Sequence, residues 1–290
     1  MAGRKPRGRA VRHVAVAAAC VLVALLGLLL YSAERDTRQQ THFAGTGRIT
    51  DGVHIEASVQ QVNPAARELH LRVLVLPLGN LRENGNELIS SSDIVVETSS
   101  LAQGQIKLPA GDRVSIQDIK VGLESTGGIS DYPFDRYRTL IGFWAEAGGR
   151  QVPVSMELTD VDPFFTPRIE RRGNEDSSAT LEIRFSRSRS TLIFAWFMMA
   201  AMWATSLAVL GASWVIVDQK RGLVWPALGW MAATLFALVG FRNAAPGSPP
   251  IGSILDYTAF LWAEGVISVC VVAVAAYGIR VERAAAPHTS

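Results

Sequence analysis

Between residues 53 and 76 the chain alternates. Val53, Ile55, Ala57 and Val59 are separated by His54, Glu56, Ser58 and Gln60, and Leu69, Leu71, Val73 and Val75 repeat the period beyond Asn63–Arg67. A period of two marks a strand with one buried face, so an antiparallel hairpin is expected, pairing 60 with 70 and 54 with 76. The same reading predicts shorter strands near 93–98 and 113–123, then strands at Arg136–Ala147, Arg150–Thr159, Phe164–Arg171 and Ala179–Arg187, with Gly148-Gly149 as a turn and 78–92 as a loop. About eight short strands joined by turns make residues 32–190 an expected all-β sandwich.

Elsewhere the alternation gives way to continuous apolar runs: Val14–Tyr31, Thr191–Val217, Leu223–Phe241 and Tyr257–Ile279, with Glu264 the one charged residue inside them. A helix crosses hydrocarbon with about 20 apolar residues. The expected fold is therefore a mixed membrane protein, an extracytoplasmic all-β sandwich plus four transmembrane α-helices, one N-terminal and three C-terminal. The first run reads as an uncleaved anchor (14–31) rather than a signal peptide, because cleavage after Ala33 would put Tyr31 where a small residue is wanted. Lys and Arg cluster in the 1–13 tail, the 218–222 loop and the 280–290 tail. These segments are expected on the cytoplasmic side, leaving 32–190 and the Pro-rich 242–256 loop outside. Two small-residue stripes, Ala200, Ala204, Ala208 and Ala212, then Gly229, Ala233 and Ala237, are candidate helix-contact faces.

Composition narrows the function. Residues 32–190 carry four more acidic than basic side chains, which argues against nucleic acid or anionic lipid as the main partner of that segment. Both cysteines, Cys20 and Cys270, lie in apolar runs, so no disulfide staples the sheet domain. His54 and His70 do not meet in the expected register, which disfavours a zinc pair. There is no phosphate loop, dinucleotide fingerprint or Gly-x-Ser-x-Gly elbow. The expectation is no catalytic, cofactor or metal residues, and no enzyme.

Tracing the strands back from residue 187 brings two corners to the membrane-facing end: DYPFD (131–135) and DVDPFF (160–165). Each couples aspartate to a Pro-Phe pair, and each proline fixes φ and removes a donor. The Tyr132–Pro133 bond is a candidate for the cis form. The expectation is that Asp131, Asp135, Asp160 and Asp162 face Arg187, Arg189 and Arg242, with Phe134, Phe164 and Phe165 as wedges beside Tyr132 and Pro133. The alternative is that the aspartates cap their own turns. Glu264 is expected to face other helices, as an ion or proton relay, as a charge partner for Arg242, or as a hydrogen-bonded packing residue near Trp262 and Ser268.

Tyr132-Pro133-Phe134-Asp135 resembles the aromatic-Pro-Phe-Asp signature of pentameric ligand-gated channels, which lies between their β-sandwich and membrane helices. The cysteines bracketing that signature are absent here, and Leu223–Phe241, in the pore-lining position, has only Thr234 as a polar interior residue. The stretches YPFDRYRT and RNAAPGSPPIGSILDYTAFLWAE more closely resemble hallmarks of an uncharacterised multi-pass membrane-protein family, a domain of unknown function. That likeness implies the same topology and supplies no activity. The expected function is a non-enzymatic partner-binding or envelope-scaffold protein, in contact with the bilayer and with another membrane or envelope protein. The alternative is a channel-like or transport accessory homo-oligomer.

Overall fold

The computed structural model describes residues 7–38, 41–47, 49–173, 175 and 177–285; residues 1–6 and 286–290, within the two expected cytoplasmic tails, lie outside the described residues. Helix α1 (Arg7–Arg38) leads into a large β-sheet domain, and α2 (Arg189–Asp218), α3 (Trp225–Asn243) and α4 (Leu261–Ala285) follow it.

The strands are β1 (Thr41–Gly45), β2 (Gly52–Asn63), β3 (Glu68–Leu78), β4 (Arg82–Glu83), β5 (Asn86–Ser90), β6 (Ile94–Thr98) and β7 (Gln105–Leu108). They continue with β8 (Gln117–Gly122), β9 (Glu124–Ser125), β10 (Arg136–Ala147), β11 (Arg150–Gln151), β12 (Val154–Asp160), β13 (Phe165–Gly173) and β14 (Ser178–Arg187). One sheet runs β1-β12-β2-β3-β8 and a second runs β13-β14-β10-β6-β7, with β9 and β11 beside β10. Inward residues of both sheets, among them Ile55, Leu71, Met156, Phe143 and Phe185, form one buried core.

The β2–β3 hairpin forms, with His54 opposite Leu76, but residue 60 does not pair with His70. A bulge after Val59 moves that partner to Gln61. The extra residue re-phases the strand, so that Val59 and Val62 both point inward. His54 instead meets the Ser155 hydroxyl at 2.8 Å. The 78–92 stretch is not wholly loop, because β4 and β5 pair within it. The expected strand 150–159 is split. Two residues, β11, pair with β10, and after Val152 and Pro153 the chain crosses to the other sheet, where β12 lies parallel to β2 and antiparallel to β1. Proline cannot donate to a ladder, which favours a break there.

Among the described residues, two helical segments are long and apolar enough to cross a membrane, Arg189–Asp218 and Asp256–Ala285; α1 holds a shorter apolar run, Ala24–Ala33. The alanine stripe expected to pack between helices points largely outward: Ala200, Ala204 and Ala208 are exposed, as are Gly229, Ala233 and Ala237. Ala195, Met198, Met202, Ser206 and Val209 form the buried face of α2 instead, against Ala259, Ala263 and Ile267. A π turn at Asp256–Phe260 opens the last helix. The indole N–H groups of Trp203 and Trp262 donate to the carbonyls of Thr258 and Tyr257 within it, at 3.0 and 2.8 Å.

Candidate functional site

The inward phase of β14 runs Ala179, Leu181, Ile183, Phe185 and ends on Arg187. The inward phase of β10, read backwards, runs Ile141, Thr139, Tyr137 and reaches Asp135 one residue before the strand begins. Tyr137 pairs with Phe185 and Arg136 with Ser186, so Asp135 and Arg187 occupy the next rung of the same ladder. Strand alternation thus aims a carboxylate and a guanidinium at each other inside the floor of the core.

Their pairing is bidentate. Arg187 Nε donates to Asp135 Oδ1 at 2.9 Å and Nη2 donates to Oδ2 at 2.9 Å, and both side chains are almost wholly removed from solvent. Tyr137 donates its hydroxyl to Asp135 Oδ2 at 2.9 Å. The guanidinium carbon sits 4.1 Å from the centre of the Phe165 ring and 5.0 Å from that of Tyr132. A buried charge is tolerated when it is paired and hydrogen-bonded, and the two π faces add attraction where water is excluded. Burial, ahead of the nearby charges, lifts the Tyr132 phenol to about 12. Tyr137 is raised too, first by burial and then by the Asp135 charge and hydrogen bond.

Tyr132 links the two halves of the molecule. It belongs to the sheet domain in sequence, follows the short helical turn Ile129–Asp131, and precedes a cis bond to Pro133. Yet its ring is fully buried in the helical core with Ala195, Met198, Leu255 and Ala259. Phe134, half-exposed, meets Trp196 of α2 edge-on with 6.4 Å between ring centres. The second corner is pinned to the start of α2. Ser188 donates its N–H to Phe164 O at 2.9 Å and its hydroxyl to Pro163 O at 3.2 Å, while capping α2 by accepting from Thr191 N–H.

Several expected partners are elsewhere. Arg242 pairs with none of the corner aspartates Asp131, Asp135 and Asp162. It forms its own bidentate pair with Asp256, through Nε to Oδ1 and Nη2 to Oδ2, both at 2.7 Å, and donates to Pro250 O at 2.8 Å. Asp256 also accepts from Gly252 N–H, Ser253 N–H and the Ser253 hydroxyl. The Pro-rich loop is therefore closed by charges at its own two ends, and Glu264 is not the partner of Arg242. Opposite charges bracketing the loop were the signal for this pairing.

Arg189 is exposed. Asp131 accepts from Gly128 N–H at 2.8 Å, and Asp160 Oδ1 accepts from Asp162 N–H at 3.1 Å. Asp162 accepts from Phe164 and Phe165 N–H and, at 2.6 Å, from Val62 N–H, which ties this corner to the β2–β3 turn. Of the expected charge pairs, the one formed is Asp135 with Arg187. Phe165 is no wedge against the helices. It is buried in the sheet core, edge-on to Tyr137 at 5.8 Å. Phe164, partly exposed, lines a shallow cleft of about 590 Å³ with Thr191, Phe194 and Ala245–Ser248. Glu264 lies on α4 with Oε2 buried and without a hydrogen-bond partner among the described residues.

Tyr137, Asp256 and Gly247 were not anticipated. Tyr137 could have been found from its phase with Asp135. Gly247 has φ +74°, and a Cβ there would lie 2.2 Å from Arg187 Nη1, so the Pro-rich loop passes directly against the buried guanidinium. The site thus joins three segments: the DYPFD corner, the end of β14 and the 242–256 loop.

Residues 44–185 match the family described as Domain of unknown function (DUF4436), and residues 187–281 match the one described as Domain of unknown function (DUF8686). No curated protein matches the chain. Each part of the chain is thus similar to a domain family of unknown function. The boundary falls inside this site: Asp135 lies in the first match and Arg187 opens the second.

Proposed function

We propose that this chain, two uncharacterised domains meeting at a buried ion pair, is a non-enzymatic multi-pass membrane protein. Its sheet domain, an extracytoplasmic β-sandwich, is held rigidly on the membrane helices as a platform for another membrane or envelope protein. In this reading four helices span the bilayer, both termini are cytoplasmic, and the Pro-rich loop lies under the sandwich on the outer side.

The membrane assignment rests on outward apolar surface. Trp196, Phe197, Leu207, Trp214, Phe236, Val269 and Val272 are all more than half exposed. A soluble protein seldom presents so continuous an apolar face, whereas lipid tails cover it without penalty. The single observation that carries the platform reading is the burial of Tyr132 in the helical core while it also faces Arg187. A side chain from the sheet domain that is packed in the helical core, with its ring against Arg187 of the last strand, couples the two positions, because packed interiors do not deform smoothly.

The test is proximity labelling in native membranes from a tag in the exposed Gly148-Gly149 turn, with Asp135→Ala alongside. A defined envelope protein recovered by the parent chain and lost with the variant supports the platform. Identical recovery from both, at equal expression, would reject it.

A second reading, a channel-like or transport accessory homo-oligomer, draws on the Glu264 oxygen, which has no hydrogen-bond partner among the described residues and lies in an apolar helix. A closed ring of subunits in the detergent-purified particle would favour it, and a monomer would end it.

A further inference from the structure

A groove of about 540 Å³ runs between α1 and α2, lined by Gly27, Leu30, Tyr31, Ile193, Phe194 and Phe197, with Arg35 and Arg189 at the end nearer the sheet domain. Among the described residues neither arginine has an ion-pair partner. Two guanidiniums without an ion-pair partner among the described residues therefore head an apolar slot. The two helices match in depth. Gly27 and Phe197 each stand eight positions from their own arginine, about 12 Å along a helix axis. Both arginines also border the apolar runs at the end where the chain enters or leaves the sheet domain.

We infer that this groove holds one anionic phospholipid, its phosphate between Arg35 and Arg189 and an acyl chain along Leu30, Ile193, Phe194 and Phe197. Guanidinium forks match phosphate oxygens in geometry, and the apolar walls continue from the charged end inward, the order of polarity within a lipid. A peptide or soluble anion would use only one end of this arrangement. The inference rests on the membrane reading above, since only an embedded chain meets a bilayer lipid.

The test uses the full chain, delipidated in mild detergent and titrated with phosphatidylglycerol, phosphatidylcholine or inorganic phosphate, with bound lipid read by native mass spectrometry. Saturable binding of phosphatidylglycerol, about tenfold or more tighter than phosphatidylcholine, is expected from two basic contacts. Arg35→Gln and Arg189→Gln should each weaken it by roughly fivefold. Gly27→Leu, where a new Cβ meets nothing within 4 Å, should fill the slot and weaken binding with both arginines present. All three variants should keep the lipid-free unfolding temperature of the parent. Equal affinity for the two lipids, unchanged affinity in both glutamine variants, or competition by inorganic phosphate alone would overturn the assignment. Carbonate washing of membranes separates the two failures: a chain that stays embedded but shows no headgroup preference defeats only the lipid site, whereas a chain released by carbonate defeats the membrane reading as well.

Discussion

Arg187 and Asp135, far apart in the chain and each one residue beyond the Arg136–Ser186 pair that ends the β10–β14 ladder, form a bidentate ion pair at 2.9 Å with almost no exposure. The strand that carries Arg187 runs through Ser188 straight into α2. A charge that closes the sheet core thus sits at the root of a helix, and the ring of Tyr132 stacks on it from the helical side.

Removing one partner leaves the other buried and uncompensated. Asp135→Asn is expected to destabilise the protein by about 3–5 kcal/mol, read as a fall in the chemical-denaturation midpoint in detergent. The double variant Asp135→Leu with Arg187→Met should lose less than the sum of the singles. Additive losses would show that the two groups do not act as a pair.

Gly247→Ala places a methyl against Arg187 at a left-handed backbone position. The backbone alone costs about 1–2 kcal/mol, and the contact adds to it. Gly211→Ala on α2, which meets nothing within 4 Å, should be neutral or slightly stabilising. Thermal unfolding of the two variants side by side distinguishes a position-specific effect from a general intolerance of alanine.

Tyr132 has no hydrogen-bond partner for its hydroxyl among the described residues, so Tyr132→Phe should leave stability at neutral pH unchanged or slightly higher. Tyr132→Ala should cost about 3–5 kcal/mol through the cavity it opens. The folded chain holds the Tyr132 proton more tightly than the unfolded chain, with the phenol raised from 10.0 to about 12. Its contribution is therefore complete below pH 10 and lost as pH rises through about 12. A stability profile across that window should fall more steeply in the parent than in Tyr132→Phe. Tyr137, raised in the same direction, sustains the remaining slope.

Asp256 accepts from Arg242, Gly252 and Ser253 together. Asp256→Ala should release the 242–256 loop and destabilise the helical core by about 3–5 kcal/mol, since it strands a buried guanidinium. Limited proteolysis should then cut within this loop in the variant and spare the parent. Arg242→Lys is expected to protect only in part, because an ammonium cannot reproduce the fork.

Period-two alternation was enough to place β10 at Arg136–Ala147 and the two-glycine turn after it, where both glycines take positive φ. Apolar runs likewise announced the helices, and chain direction alone carried both Pro-Phe corners to the end of the sheet domain from which α2 leaves. These features depend on neighbours a few residues away, so the local pattern contains them. Partner choice does not. Whether β12 pairs with β10 or crosses to β2, whether Arg242 reaches a sheet-domain carboxylate or Asp256, and whether Phe165 faces helix or core all depend on distances between segments remote in sequence. Aspartates at turns look alike in one dimension, and most of these capped nearby N–H groups because that satisfies a carboxylate with little ordering cost. Asp135 differs because the ladder register set it opposite Arg187 inside a closed core, an alignment created only when the two strands pair.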